Sequence, residues 1–194
     1  EGTFNFIPFF DFNIDLNLNS INLTRIHNLI SNLSKEEQGK LFKINNRLNG
    51  KVNLSSEKIY SRYNLAKSFE SRIKLNNGNI IIEQFLINLG KLGAADMLGS
   101  IENDKKFTSF RFESNIFVDN KNKFSSKFGL YDKKNISSDF FISGNFDLEN
   151  FRASFYEIST NKKINNEDIS FVENEFNDIM FKEGYKSLFY FPNF

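Results

Sequence analysis

Cysteine and tryptophan are absent from this chain of 194 residues, histidine occurs once and proline twice. Without cysteine there is no disulfide, no thiolate metal site and no thiol nucleophile. The redox compartment stays open, because a β-protein of an oxidising compartment can do without the residue. The single histidine, His27, cannot supply the two ligands of an HExxH zinc site. It stands beside Ile26, one position off the apolar stripe of a predicted helix, and suits a partly exposed helix residue. No Gly-x-Ser-x-Gly elbow presents a serine to it. Excess charge is lacking too: 25 Lys+Arg face 24 Asp+Glu, a net charge of +1. A nucleic-acid-binding domain would carry a clear basic surplus, so no nucleic-acid partner is expected. No apolar run approaches the roughly 18 residues of a membrane helix. Any membrane anchor is therefore expected outside this chain, which reads as an internal or C-terminal piece of a longer protein.

Other constellations fail on spacing. The acid pairs Glu102 with Asp104, Glu167 with Asp168 and Glu173 with Glu175 fall in a turn or on a polar helix face. Each reads as solvated charge rather than as a glycosidase pair. "DNKNKF" from Asp119 opens like a calcium loop, but Phe124 stands where that loop needs glycine. Gly90, Gly93 and Gly99 have the spacing of neither nucleotide loop. No catalytic residue, metal or cofactor is expected, and the chain is read as non-enzymatic. Sequons at Asn22 and Asn53 carry little weight in a composition this rich in Asn.

What is present is apolar mass in a repeating pattern. Hydrophobic residues make up 40% of the chain, and 25 residues are Phe. Phe brings large apolar area without a polar handle, so it must be buried, packed on a partner or offered to an apolar ligand. "FDFNIDLNL" alternates strictly: Phe10, Phe12, Ile14, Leu16 and Leu18 face one way, with Asp and Asn opposite. A period of two marks a half-buried strand. The period changes after Leu23, where Ile26, Leu29, Ile30 and Leu33 fit one helix face, with Thr24 as a cap. Ser34 and Glu37 form a capping box for a further turn.

Alternation returns with Leu48, Gly50, Val52 and Leu54, then with Phe69, Ser71, Ile73 and Leu75. Asn76-Asn77-Gly78 supplies a tight hairpin, and Ile80–Leu89 is more continuously apolar. The small residues Gly93, Ala94 and Ala95 suit a close backbone approach. Further strands are expected over Phe110, Phe112, Ser114, Ile116 and Val118, and over Phe124, Ser126, Phe128 and Leu130. Phe140, Ile142, Gly144, Phe146 and Leu148 follow, then Phe151, Ala153 and Phe155. In "KFTSFRFESNIF" the alternation sends Phe110 and Phe112 away from Arg111 and Glu113, which weakens a nucleic-acid stacking surface.

These strands separated by polar turns predict a mainly β chain: an elongated, curved antiparallel meander sheet, groove-like. It is expected over residues 1–158 with a helical insert at about 24–42. Residues 159–194 are expected to hold an amphipathic helix capped by Asn166, with Ile169, Val172, Phe176, Ile179 and Met180 on its apolar face, and a tail. Lys182 is expected in its last turn and Gly184 at its stop. Two outcomes fit the one-sided apolar pattern. The sheet buries that face as an ordinary core, or it curls into a trough whose apolar face is open to a lipid chain.

"LNGKVNLSSEKIY" followed by "FESRIKLNNGNIIIEQFLINLGKLGAADMLGSIENDKKFTSFRFESNIFVDN" resembles the AsmA-like family of bacterial envelope proteins. The likeness is a pattern of strand, Asn-Gly turn, strand and small-residue segment over positions 48–119, looser as far as Leu148. The resemblance implies a curved sheet with an apolar groove, an inner-membrane anchor and a periplasmic location. It also implies a part in outer-membrane biogenesis or phospholipid passage. It brings no catalytic residues. Departures from the family are the missing membrane helix, the short chain and the helix at its end. On this reading the partners are phospholipid acyl chains. The groove candidates are Leu48, Val52, Leu54, Ile73, Leu75, Phe110, Phe112, Ile116, Phe128, Ile142 and Phe146. The alternative is a structural or interaction module with a filled core.

Overall fold

The computed structural model describes residues 1–5, 10–61, 64–103, 107–128, 137–160 and 162–180, with residues 179 and 180 described by backbone alone. Strands β2 (Phe10–Leu18) and β4 (Leu48–Ser56) carry the alternation seen in the sequence, and they lie side by side in parallel. Parallel neighbours cannot be joined by a tight turn. The chain between them therefore makes a long crossover through β3 (Ile21–Asn22), α1 (Leu23–Ser31) and α2 (Lys35–Lys40). A short strand after β4, β5 (Ile59–Tyr60), pairs with β3 and anchors the start of that crossover.

The remaining strands zigzag. They are β6 (Ser68–Asn76), β7 (Asn79–Asn88), β8 (Gly93–Asn103), β9 (Thr108–Val118), β10 (Asp139–Asp147) and β11 (Arg152–Ser159). With β1 (Gly2–Asn5) they form a nine-stranded sheet in the order β1-β2-β4-β6-β7-β8-β9-β10-β11. The chain is mainly β, as the alternation predicts, and its main sheet is a meander that does not close into a barrel. Among the described strands of this sheet, the β2–β4 pair is the one parallel step in an otherwise antiparallel order.

Local chemistry accounts for the turns. The β6–β7 hairpin closes over Asn77 (φ 51) and Gly78 (φ 85), the positive angles of a two-residue primed turn. At Gly93 the strand passes so close to its neighbour that a Cβ would lie 1.8 Å from the Phe117 carbonyl oxygen. Register shifts in the β6–β7, β7–β8 and β10–β11 ladders are bulges, which bend a strand and sharpen its twist.

Three local expectations are corrected. Residues 121–128 form helix α3 (Lys121–Phe128), not a strand, and Leu130 lies outside the described residues. Phe124 and Phe128 stand four apart, a spacing that keeps two residues on one face of a strand and of a helix alike. Asn120 decides for the helix: its side chain accepts from the Lys123 amide at 3.0 Å. The cap of α1 is Asn22, accepting from the Arg25 amide at 3.2 Å, rather than Thr24. The helix α4 (Asn166–Met180) is capped one residue early, Asn165 accepting from the Asp168 amide at 2.8 Å. The Ser34–Glu37 capping box is present. Lys182 and Gly184 lie outside the described residues.

Helix α4 closes one edge of the sheet. Asn177 accepts from the Ala153 amide at 2.6 Å and donates to the Ala153 carbonyl at 2.8 Å, while Glu173 accepts from the Phe155 amide at 3.0 Å. Two side chains one helical turn apart thus take the place of a tenth strand along β11. An unpaired edge invites association with other chains, so this cover removes a liability.

Candidate functional site

Strand register decides which side chains share a face, and here it collects the apolar ones. Ile14, Val52, Ile73 and Ile82 follow one another across β2, β4, β6 and β7, and the row continues through Gly99, Phe112, Gly144 and Phe155. A parallel row runs Phe12, Gly50, Leu75, Ile80, Ile101, Phe110, Phe146 and Ala153. Leu48, Leu54, Ile116 and Ile142 lie on the same face. Ten of the eleven sequence candidates are therefore brought onto one wall. Phe128 is the exception, standing at the end of α3 with its ring 4.6 Å from Phe124, which in turn stacks on Phe140 of the wall at 6.3 Å.

The rings do not all stand up from the wall. Built Cβ atoms at Gly50 and Gly144 would meet the rings of Phe12 and Phe112, at 2.8 and 3.2 Å, and one at Gly99 would meet the ring of Phe110 at 2.8 Å. Each phenyl lies down over a glycine of the next strand, covering backbone that would otherwise be bare. Phe112 then packs against Phe110, Phe146 and Phe155, with centroids 5.6, 4.8 and 6.5 Å away. Alternation in sequence reports the face of a residue but not this tilt.

Among the described residues, three elements lie on the wall. From α4, Phe176 stacks on Phe146 at 5.9 Å and meets Phe155 edge-on at 5.4 Å. From α3, Phe124 reaches Phe140. The crossover passes over the wall: α1 leaves the β3–β5 pair, its Ile30 packs beside Ile101, Leu148, Phe151 and Ala153, and Phe42 joins it there. The corner is tied by polar contacts. Lys43 pairs with Glu149 at 2.7 Å, Asn103 donates to the Phe42 carbonyl at 3.0 Å, and the Lys35 ammonium sits 5.8 Å from the centre of the Phe151 ring.

Cover is uneven. Among the described residues, the buried apolar ones of the main sheet and its turns are Ile101, Phe112, Val118, Leu148, Phe151, Ala153 and Ile158, all between β8 and β11. No apolar residue described in β1, β2, β4, β6 or β7 is buried. Phe4, Leu16 and Leu18 on the same face keep 57%, 44% and 37% of their surface exposed.

The opposite face is mostly polar and carries shallow hollows. One of about 500 Å³ lies over β7–β11, with Leu98, Arg111, Glu113 and Tyr156 on its lining. Another lies among Asn17, Asn53, Glu70, Arg72 and Gln84, where Arg72 donates to the Gln84 amide oxygen. Alternation did not signal the exposed Leu98 and Tyr156 on this side, because each is a single apolar letter in a polar register.

Residues tested for chemistry have structural surroundings. His27 is half-buried on α1, its Nδ1 3.3 Å from Asn28 Oδ1 and its Nε2 3.3 Å from the Ser31 hydroxyl. Glu173 holds the β11 edge, Asn165 donates to Asp168, and Asp104 lies outside the described residues. Among the described residues no group of three or more His, Cys, Asp and Glu could hold a metal ion, and no helix is long and apolar enough to cross a membrane. Among the described residues, the ionisation equilibria displaced from their ordinary values cluster on α2. The Ser34 amide holds the Glu37 carboxyl low, and Glu36 and Lys40 each stabilise the charge of the other. No family model, no curated protein and no solved structure matches the chain.

Proposed function

We propose that this chain is a non-enzymatic groove segment of an AsmA-like envelope protein, holding phospholipid acyl chains against its apolar wall on their passage between membranes. The observation that carries the reading is the continuity of that wall across the sheet, half-buried over β4 and β6 and exposed at Phe4, Leu16 and Leu18 of β1 and β2. Burying a methylene is worth about 0.8 kcal/mol, so a few strands of apolar wall retain an acyl chain without directed polar contacts. The same reading gives the protein a periplasmic location, with its membrane anchor on another part of the polypeptide, and a role in outer-membrane biogenesis.

A second reading has its own support. The cluster of Ile101, Leu148, Phe151 and Ala153, roofed by Ile30, Phe42 and Phe176, is an ordinary filled core. It favours a structural module in which the wall serves packing alone.

Native mass spectrometry of gently purified protein separates the two. The lipid reading expects co-purified phospholipid and saturable uptake of a fluorescent phospholipid. Absence of both overturns it in favour of the structural module.

A further inference from the structure

The crossover between β2 and β4 is built as a flap over the apolar wall. Both of its ends join neighbouring strands on one side of the sheet. Its tip reaches the far corner, at the turn between β10 and β11. The seating of that tip is unusual for a structural helix. The buried residues of α2 are Gln38 and Gly39, a polar residue and one without a side chain. Helix α1 has no buried residue, and Leu29 on it is 69% exposed. The direct ties to the corner include a half-exposed ion pair, Lys43 with Glu149, and a single amide bond from Asn103. Segments with little buried apolar area and few, partly exposed polar ties open locally at lower cost than the strands beneath them.

We infer that residues 23–43 form a hinged flap, latched at Glu149, whose release admits an acyl chain to the part of the apolar wall that it roofs. The inference rests on the lipid reading above for its ligand, but the motion itself can be observed without lipid. When the latch opens, Ile30 and Phe42 leave the corner and the wall beneath the crossover becomes continuous with its open part at β1 and β2. An acyl chain then takes the contacts that the flap has given up.

The absence of cysteine makes the test clean. A Cβ at Gly39 would lie 3.8 Å from the Glu149 Cα, so a pair of cysteines at these positions can be joined with a small backbone adjustment. The double variant Gly39→Cys, Glu149→Cys is latched when oxidised and free when reduced. With fluorescent phospholipid in vesicles as the probe, the oxidised form is expected to load at least tenfold more slowly than the reduced form, and reductant to restore the rate. Lys43→Ala, which breaks the latch without a cross-link, is expected to load faster than the unaltered chain. Equal loading of oxidised and reduced forms overturns the flap as a gate. If no form loads lipid, the lipid reading falls, and hydrogen exchange judges the motion alone. The amides of 23–40 are expected to exchange as one fast unit that slows on oxidation. Exchange of that segment together with the sheet strands would overturn the flap in every form.

Discussion

The two halves of one sheet face have the same alternating sequence and opposite fates. Over β8–β11, Ile101 and Ala153 are buried beneath α4 and the tip of the crossover, and Phe112 is buried among neighbouring phenyl groups. Over β4 and β6 residues of the same kind in continuous register are only half-buried, and at the β1–β2 edge they stay open, Leu16 at 44% and Phe4 at 57%. Hydrophobic burial is proportional to apolar area removed from water, so the two halves contribute unequally to stability although they read alike. The closed half holds the fold together, and the open half is free for another use.

The largest expected effect breaks the closed half. Phe112→Ala is expected to cost about 3–5 kcal/mol in chemical denaturation, the usual range for a buried phenylalanine. Phe112 is 9% exposed and ringed by three other phenyl groups. Phe112→Asp is expected to abolish folding as judged by circular dichroism. A loss near zero for Phe112→Ala would mean that the closed half is not a core. Next comes the edge that α4 seals. Asn177→Ala leaves both Ala153 backbone groups without their side-chain partner and is expected to cost about 2 kcal/mol, with a rise in concentration-dependent association.

The open half gives the sharpest contrast. Leu16→Lys is expected to change stability by no more than about 0.5 kcal/mol, as exposed substitutions do, yet to reduce phospholipid uptake severalfold. If it destabilises as much as Phe112→Ala, the distinction between the halves is lost. The smallest effect is in acid. The Ser34 amide holds Glu37 below its ordinary value of 4.5, so the charged form is the one that the folded helix favours. That stabilisation is present above about 4.5 and is lost as pH falls through the depressed value. Amides of α2 are expected to exchange faster in that acid range, and Glu37→Ala to remove the dependence.

Much of the sheet was legible because period-two alternation is a local signal that survives without knowledge of partners. It identified β2, β4, β6, β9 and β10 and assigned ten of eleven candidates to one face. It failed at Phe124 and Phe128, where strand and helix spacing coincide, and the Asn120 cap was the signal to weigh. The flap was legible only as a helical insert, since nothing in "KEEQGK" says which corner of a sheet it will meet.

Taken alone, the sequence determined the strands, their apolar face, the Asn77-Gly78 hairpin and the lack of cysteine chemistry, because each follows from neighbours in the chain. Only the tertiary structure decided the parallel pairing of β2 with β4, the sealing of β11 by Glu173 and Asn177, and which half of the wall is roofed. Those outcomes depend on contacts between residues far apart in the chain. Such contacts form where long segments find surface to bury, and local periodicity carries no record of them.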